Sequence, residues 1–137
     1  MISEDKAQSV SGKTVAITGA NGFIGRDLVQ RLAANADAQV RLLIRGDRSQ
    51  TLQSPRLTVT QGNLQSPETL GKFLVPGCTV VNLAYDSSAP QSANLLAARN
   101  LARACIENQV KRLIHCSTAV VFGRCTDTVV NEESICD

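Results

Sequence analysis

The 137-residue chain has no tryptophan, one tyrosine (Tyr85), one methionine and one histidine (His115). It also lacks an excess of charge: 14 lysines and arginines against 12 acidic residues leave a net charge of +2. The basic residues are scattered rather than massed, which argues against a nucleic-acid groove or a basic membrane face. The polar segment Met1 to Ser11 has no apolar signal core, and no apolar run is long enough to span a bilayer. A cytoplasmic protein is expected on these grounds. The five cysteines (Cys78, Cys105, Cys116, Cys125, Cys136) form no Cys-x-x-Cys pair and are odd in number. With a single histidine beside them, they argue against a metal site and fit thiols kept reduced. No internal repeat, low-complexity tract or linker interrupts the chain, so one domain with a true core is expected from its length and its 43% hydrophobic content.

Thr18-Gly19-Ala20-Asn21-Gly22-Phe23-Ile24-Gly25 follows the apolar run Val15-Ala16-Ile17 and opens an amphipathic segment. A strand turning into a helix through three glycines is the arrangement that binds a dinucleotide. The first glycine permits the tight turn, the second lets the backbone approach a pyrophosphate, and the third lets the helix pack closely on the strand. Helix N-terminal N–H groups then hold the anion. The spacing is Gly-x-x-Gly-x-x-Gly rather than Gly-x-Gly-x-x-Gly, and context carries the reading. Phe23, Ile24, Leu28, Val29 and Leu32 recur at the helical period, and Gln39 to Arg45 reads as a second strand. Strand, turn, helix and strand fit within about 33 residues, the size of one βαβ unit.

The alternation continues. Leu57 to Gln61 reads as a third strand, and Ser66-Pro67-Glu68 as a helix start in which the serine caps and the proline takes the first helical position. The Val75-Pro76-Gly77 turn ends that helix, Thr79 to Ala84 forms a fourth strand, Ser92 to Asn108 a long helix, and Arg112 to Ser117 a fifth strand. Near-continuous apolar strands alternating with helices predict a doubly wound parallel sheet with both faces covered, in the order 3-2-1-4-5. His115, inside an apolar strand, reads as a core histidine.

Several segments, correctly ordered, resemble one family: the extended short-chain dehydrogenase/reductases, which include nucleotide-sugar epimerases and dehydratases, 3β-hydroxysteroid dehydrogenases and dihydroflavonol reductase-like enzymes. Thr18 to Gly25 is similar to their Thr-Gly-x-x-Gly-Phe-Ile-Gly signature. Gly62-Asn63-Leu64 resembles their Gly-Asp-Leu, and Asn82-Leu83-Ala84 their His-Leu-Ala at the end of the fourth strand. Cys116 to Gly123 resembles their Ser-Ser/Thr-x-x-Val-Tyr-Gly, with Phe122 in the tyrosine's place, and Asn94 falls where the family's long-helix asparagine sits. The fold implied is a Rossmann-type α/β domain.

The resemblance implies a cofactor site formed by Gly19, Asn21, Gly22, Phe23, Ile24, Gly25, Asn63, Leu64, Leu83 and Ala84. Asn63 would meet the adenine edge as donor or acceptor without the aspartate's charge. Arg45 ends the second strand where an acid would receive the ribose hydroxyls of NAD. Its guanidinium, together with that of Arg48, suits the 2′-phosphate of NADP, so NADP is the expected cofactor, with NAD possible. Thr118 matches the substrate-orienting serine or threonine, and Ser117 precedes it.

The family's general acid/base is a tyrosine in Tyr-x-x-x-Lys, and no such pair is present: the fourth residue after Tyr85 is Ala89. Asn131-Glu132-Glu133-Ser134 resembles the Asn-Glu-x-Ser segment that precedes that tyrosine. Residues 1–137 are therefore expected to be an incomplete NAD(P)-binding domain, truncated before the catalytic helix and without its substrate domain. It would serve an oxidoreductase or nucleotide-sugar epimerase or dehydratase acting on a small molecule such as a nucleotide sugar or a hydroxy or keto compound. A non-catalytic NADP-binding sensor or regulatory module is the alternative. Association of chains into a homo-oligomer is expected where the fifth strand's edge and the long helix lack cover.

Overall fold

Apolar runs and amphipathic segments resolve into five strands and three helices, joined in βαβ units. The structure, a computed structural model, describes residues 13–35, 37–47, 53–123 and 129–136. In chain order the elements are β1 (Lys13–Thr18), α1 (Phe23–Ala34), β2 (Ala38–Ile44), β3 (Leu57–Gln61), α2 (Pro67–Phe73), β4 (Thr79–Asn82), α3 (Gln91–Glu107) and β5 (Arg112–His115), followed by a 3₁₀ turn at Ala119–Phe122. All strand pairings are parallel, and the sheet order is β3-β2-β1-β4-β5, as the alternation predicts.

Side chains alternate across each strand, and the sheet therefore carries two cores. Val15, Ile17, Val40, Leu42 and Ile44 pack with Val29 of α1 on one face. Ala16, Leu43 and Val80 pack with Leu70 and Phe73 of α2 and Leu101 and Cys105 of α3 on the other. Because both faces of the central strands are covered, β1 and β2 read as almost unbroken apolar runs. The polar exceptions in β2 are Gln39, which is exposed, and Arg41. The Arg41 Nε donates to the Phe73 carbonyl at 2.7 Å and its Nη2 to the Lys72 carbonyl at 2.6 Å, so a strand side chain satisfies the last carbonyls of α2.

Four details differ from the sequence reading. Phe23 and Ile24 share the apolar period of α1 but are exposed, because the first turn of the helix lies beyond the packed cluster that Val29, Leu28 and Leu32 reach. Ser66 occupies the N-cap of α2 without a side-chain cap bond. The turn is tied instead by Asn63, whose Oδ1 accepts the Gln65 N–H at 3.0 Å. Strand β4 ends at Asn82 and β5 at His115, which leaves Leu83, Ala84, Ser117 and Thr118 on the loops beyond. Finally, β5 is exposed along its whole length, His115 included, because only β4 pairs with it and nothing covers its faces among the described residues. The segment Met1 to Ser11, Arg48 and Cys125 lie outside the described residues.

Phe73 is the largest fully buried side chain and joins α2 to β2 and α3. Phe73→Ala is expected to lower unfolding free energy by about 3–5 kcal/mol in urea denaturation. A loss below about 1 kcal/mol would mean that the second core does not depend on this contact.

Candidate functional site

Strand order reverses between β1 and β4, so the loops that leave their carboxyl ends diverge and open a crevice. A groove of about 400 Å³ lies there. Its walls are the Gly19 to Gly22 turn after β1, Arg45 and Gly46 after β2, Gly62 to Gln65 after β3, Leu83 to Asp86 after β4, and Ala93, Asn94 and Ala97 of α3.

The glycines have distinct physical reasons. Gly19 has a φ of +71°, and a Cβ there would stand 2.7 Å from the Leu83 carbonyl carbon and 2.8 Å from the Ala84 nitrogen. No side chain fits, so the loops after β1 and β4 touch backbone to backbone. A Cβ on Gly25 would collide with the Gly19 carbonyl oxygen and lie 2.8 Å from the Ala20 Cα, which is how α1 comes to sit directly under the turn. Gly22 donates its N–H to the Gly19 carbonyl at 3.0 Å and is the N-cap of α1. That helix has no side-chain cap bond and no acid in its first turn. The positive end of its dipole therefore points at the groove with no carboxylate to neutralise it, and an anion is the chemistry that suits it.

The other walls are polar at chosen points. Asn63 spends its carboxamide oxygen on the Asx turn, so its amide N–H group is the part it would offer an adenine edge. Gly62 leaves room for Thr69, whose hydroxyl would be 2.6 Å from a Cβ placed there. Beneath the groove, register places Thr18 beside Asn82 and Asn82 beside His115. The buried Thr18 hydroxyl donates to Asn82 Oδ1, and Asn82 Nδ2 lies 3.0 Å from His115 Nδ1. The Ala84 N–H also donates to Asn82 Oδ1, at 3.4 Å, so two donors on that oxygen fix the amide orientation and leave Nδ2 facing the His115 ring.

The loop after β4 holds a residue that periodicity did not single out. Asp86 Oδ2 accepts from Arg45 Nη1 at 2.8 Å, across 41 positions of sequence. Its Oδ1 accepts the Ser88 hydroxyl at 2.6 Å and the Ser88 N–H at 3.0 Å. Asn94 of α3 clamps the same residue's backbone, donating to the Asp86 carbonyl at 2.8 Å and accepting the Asp86 N–H at 3.1 Å. The only sequence signal was Asn94, matched to the family's long-helix asparagine. Nothing in the local pattern points to a partner on another strand's loop.

Among the residues expected at the site, Gly19, Asn21, Gly22, Arg45, Asn63, Leu64, Leu83 and Ala84 line the groove. Gly25 is buried behind it, and Phe23 and Ile24 face solvent on the first turn of α1. Ser117 and Thr118 lie past the end of β5, exposed, outside the groove lining but at the same carboxyl edge of the sheet. Among the described residues, no cluster of three or more His, Cys, Asp or Glu could hold a metal, and no helix is long and apolar enough to cross a membrane.

Comparison with known proteins agrees with this geometry. Residues 19–133 match the profile of a family described as NAD(P)H-binding. A 2-alkyl-3-oxoalkanoate reductase of Shewanella oneidensis is 31% identical over an alignment of 126 positions that covers 86% of this chain and 32% of that protein. The Bordetella bronchiseptica enzyme WbmH, solved in complex with NAD+, superposes with a TM-score of 0.77 at 24% identity, over 91% of this chain and 46% of its own. A short-chain dehydrogenase/reductase from Veillonella parvula, solved with NADP, gives a TM-score of 0.69 at 23% identity, over 81% of this chain and 50% of its own. The chain thus spans about a third of the length of the curated relative and at most half of the two solved chains.

Hydrogen bonds from Arg45 and then Ser88 hold the Asp86 carboxyl at about 2, below its ordinary 3.8. A carboxylate whose value is depressed by folding stabilises the fold above its unfolded value, and that contribution fades as pH falls from 3.8 through about 2. A carbon-13 titration of the Asp86 carboxyl is expected to have its midpoint near 2, and Arg45→Met is expected to raise it toward 3.8. A wild-type midpoint at the ordinary value would show that the ion pair does not form in solution.

Proposed function

The chain belongs to the NAD(P)H-binding family, with the Rossmann fold of the short-chain dehydrogenase/reductases, and from that premise we propose that it is the cofactor-binding part of an NADP-preferring oxidoreductase. The observation that carries the cofactor preference is Arg45. It directly follows β2, at the position where an acidic residue would receive ribose hydroxyls, and brings an always-charged guanidinium to the groove. A 2′-phosphate fits a bidentate fork there, whereas ribose hydroxyls of NAD would want an acceptor.

The residues present fit the cofactor. The close backbone approach at Gly19 and Gly25 gives the pyrophosphate a cradle without side chains, and the uncapped N-terminus of α1 supplies N–H donors. The Asn63 amide would face the adenine, and Leu83 and Ala84 would run along the ribose and pyrophosphate. The nicotinamide supplies hydride transfer when bound. Thr118, with Ser117 before it, would direct a hydroxyl at the reacting oxygen of a small hydroxy or keto substrate and fix its orientation. No Tyr-x-x-x-Lys pair is among these 137 residues, and the proton-transfer step is assigned to none of the residues that line the groove.

The reductase reading is favoured over an epimerase by two supports: the arginine, and the reductase activity named for the curated relative from Shewanella oneidensis. Calorimetric titration of the chain with NADP and then NAD is expected to give micromolar-range binding, tighter for NADP. Arg45→Asp is expected to reduce the preference by about ten- to a hundredfold, the worth of charged hydrogen bonds to one phosphate. A ratio unchanged by that substitution would refute the preference, and no binding of either nucleotide would refute the cofactor assignment itself.

A further inference from the structure

In the structure, Arg45 is already engaged. Its guanidinium is bonded at 2.8 Å to Asp86, and both residues line the groove. Since the sheet runs β2-β1-β4, the Gly19 turn lies between the strand ends that carry them. The pair therefore joins the two sides of the crevice over the turn on which a dinucleotide would rest.

We propose that Asp86 is a cofactor-selectivity residue that acts through Arg45, competing with the 2′-phosphate of NADP for the guanidinium and so restraining NADP affinity without touching that for NAD. This rests on the dinucleotide reading of the groove. The two partners are unequal. Asp86 is fixed: Ser88 fills one carboxylate oxygen with two hydrogen bonds, and Asn94 clamps the backbone on both sides. Arg45 is the adjustable partner, a long side chain still 64% exposed. A phosphate that arrives beside Arg45 carries close to two negative charges. Either the guanidinium leaves Asp86 to meet it, or the phosphate settles beside a second anion, and both outcomes weaken NADP binding. Asp86 stays ionised across the neutral range, held at about 2 by its hydrogen bonds to Arg45 and Ser88, so the competition does not lapse there. NAD has no group that asks for Arg45, and its affinity is indifferent to the pair.

Asp86→Asn tests this with little disturbance, because an asparagine oxygen still accepts both Ser88 bonds and the Asn94 clamp uses only backbone atoms. Titration of the 137-residue chain with NADP and NAD would be run on wild type, Asp86→Asn, Arg45→Met and the double variant. The expected result is a gain of about two- to fivefold in NADP affinity for Asp86→Asn, the range of an exposed ion pair, with NAD within twofold of wild type. In the Arg45→Met background the same change is expected to gain nothing. Equal gains in both backgrounds would overturn the competition through Arg45 and leave Asp86 a plain repelling charge. A loss for NAD alone would overturn it in favour of Asp86 as a ribose acceptor, and equal losses for both nucleotides would reduce Asp86 to a loop anchor. Wild type binding neither nucleotide would overturn the dinucleotide reading and this inference together, which separates that failure from the others.

Discussion

Two backbones meet at Gly19 with no room between them, and the site is arranged around that contact. A Cβ at this position would stand 2.7 Å from the Leu83 carbonyl carbon, and the φ of +71° is itself one that other residues rarely hold. The contact ties the loop after β1 to the loop after β4, across the point where the sheet changes direction. Gly25, six residues on and inside the first turn of α1, repeats the constraint against the Gly19 carbonyl and the Ala20 backbone. Together they bring α1 in under the turn, which sets where the positive helix end points. Geometry fixed by backbone contact loses nothing to side-chain entropy, and it leaves a bare surface for an anion.

A polar rung supports this contact from below. Thr18, Asn82 and His115 are register partners on β1, β4 and β5, and their side chains are linked across the three strand ends. Asn82 is 4% exposed, so each end of its amide needs a partner, and orphaning one would cost about 1–3 kcal/mol. The ladder continues past the strands, with the Leu83 N–H on the Thr18 carbonyl and the Cys116 N–H on the Asn82 carbonyl. The loops that hold the groove thus start from strand ends pinned by both backbone and side-chain bonds.

The fold was legible because the signals that encode it are local and repeated. Leu57 to Gln61 is a strand in both sequence pattern and structure, and the glycine turn lies where β1 ends. Errors arose where a local pattern met a tertiary boundary. Phe23 and Ile24 keep the helical period, yet the first turn of α1 overhangs the packed sheet, so periodicity assigned them to a core that does not extend that far. His115 sits in an apolar run, but its strand is the sheet's edge, and burial depends on cover that a strand's own residues cannot announce. Arg41 and Asp86 were invisible for a different reason. Each acts on groups 31 to 41 positions away, and only the topology brings those groups near.

The division between what the fold fixes and what it leaves adjustable follows from these distances. Cradle, helix end and polar rung are built from backbone and buried groups, in which small changes are felt at once. Arg45 and Asp86 stand at the groove's outer wall on loops, and exchanging either leaves both cores untouched. Affinity for a dinucleotide as a class is therefore rooted in the scaffold. On the proposed reading, discrimination between its two forms rests on one exposed ion pair, whose worth in water is small and whose effect on selectivity is correspondingly graded rather than absolute.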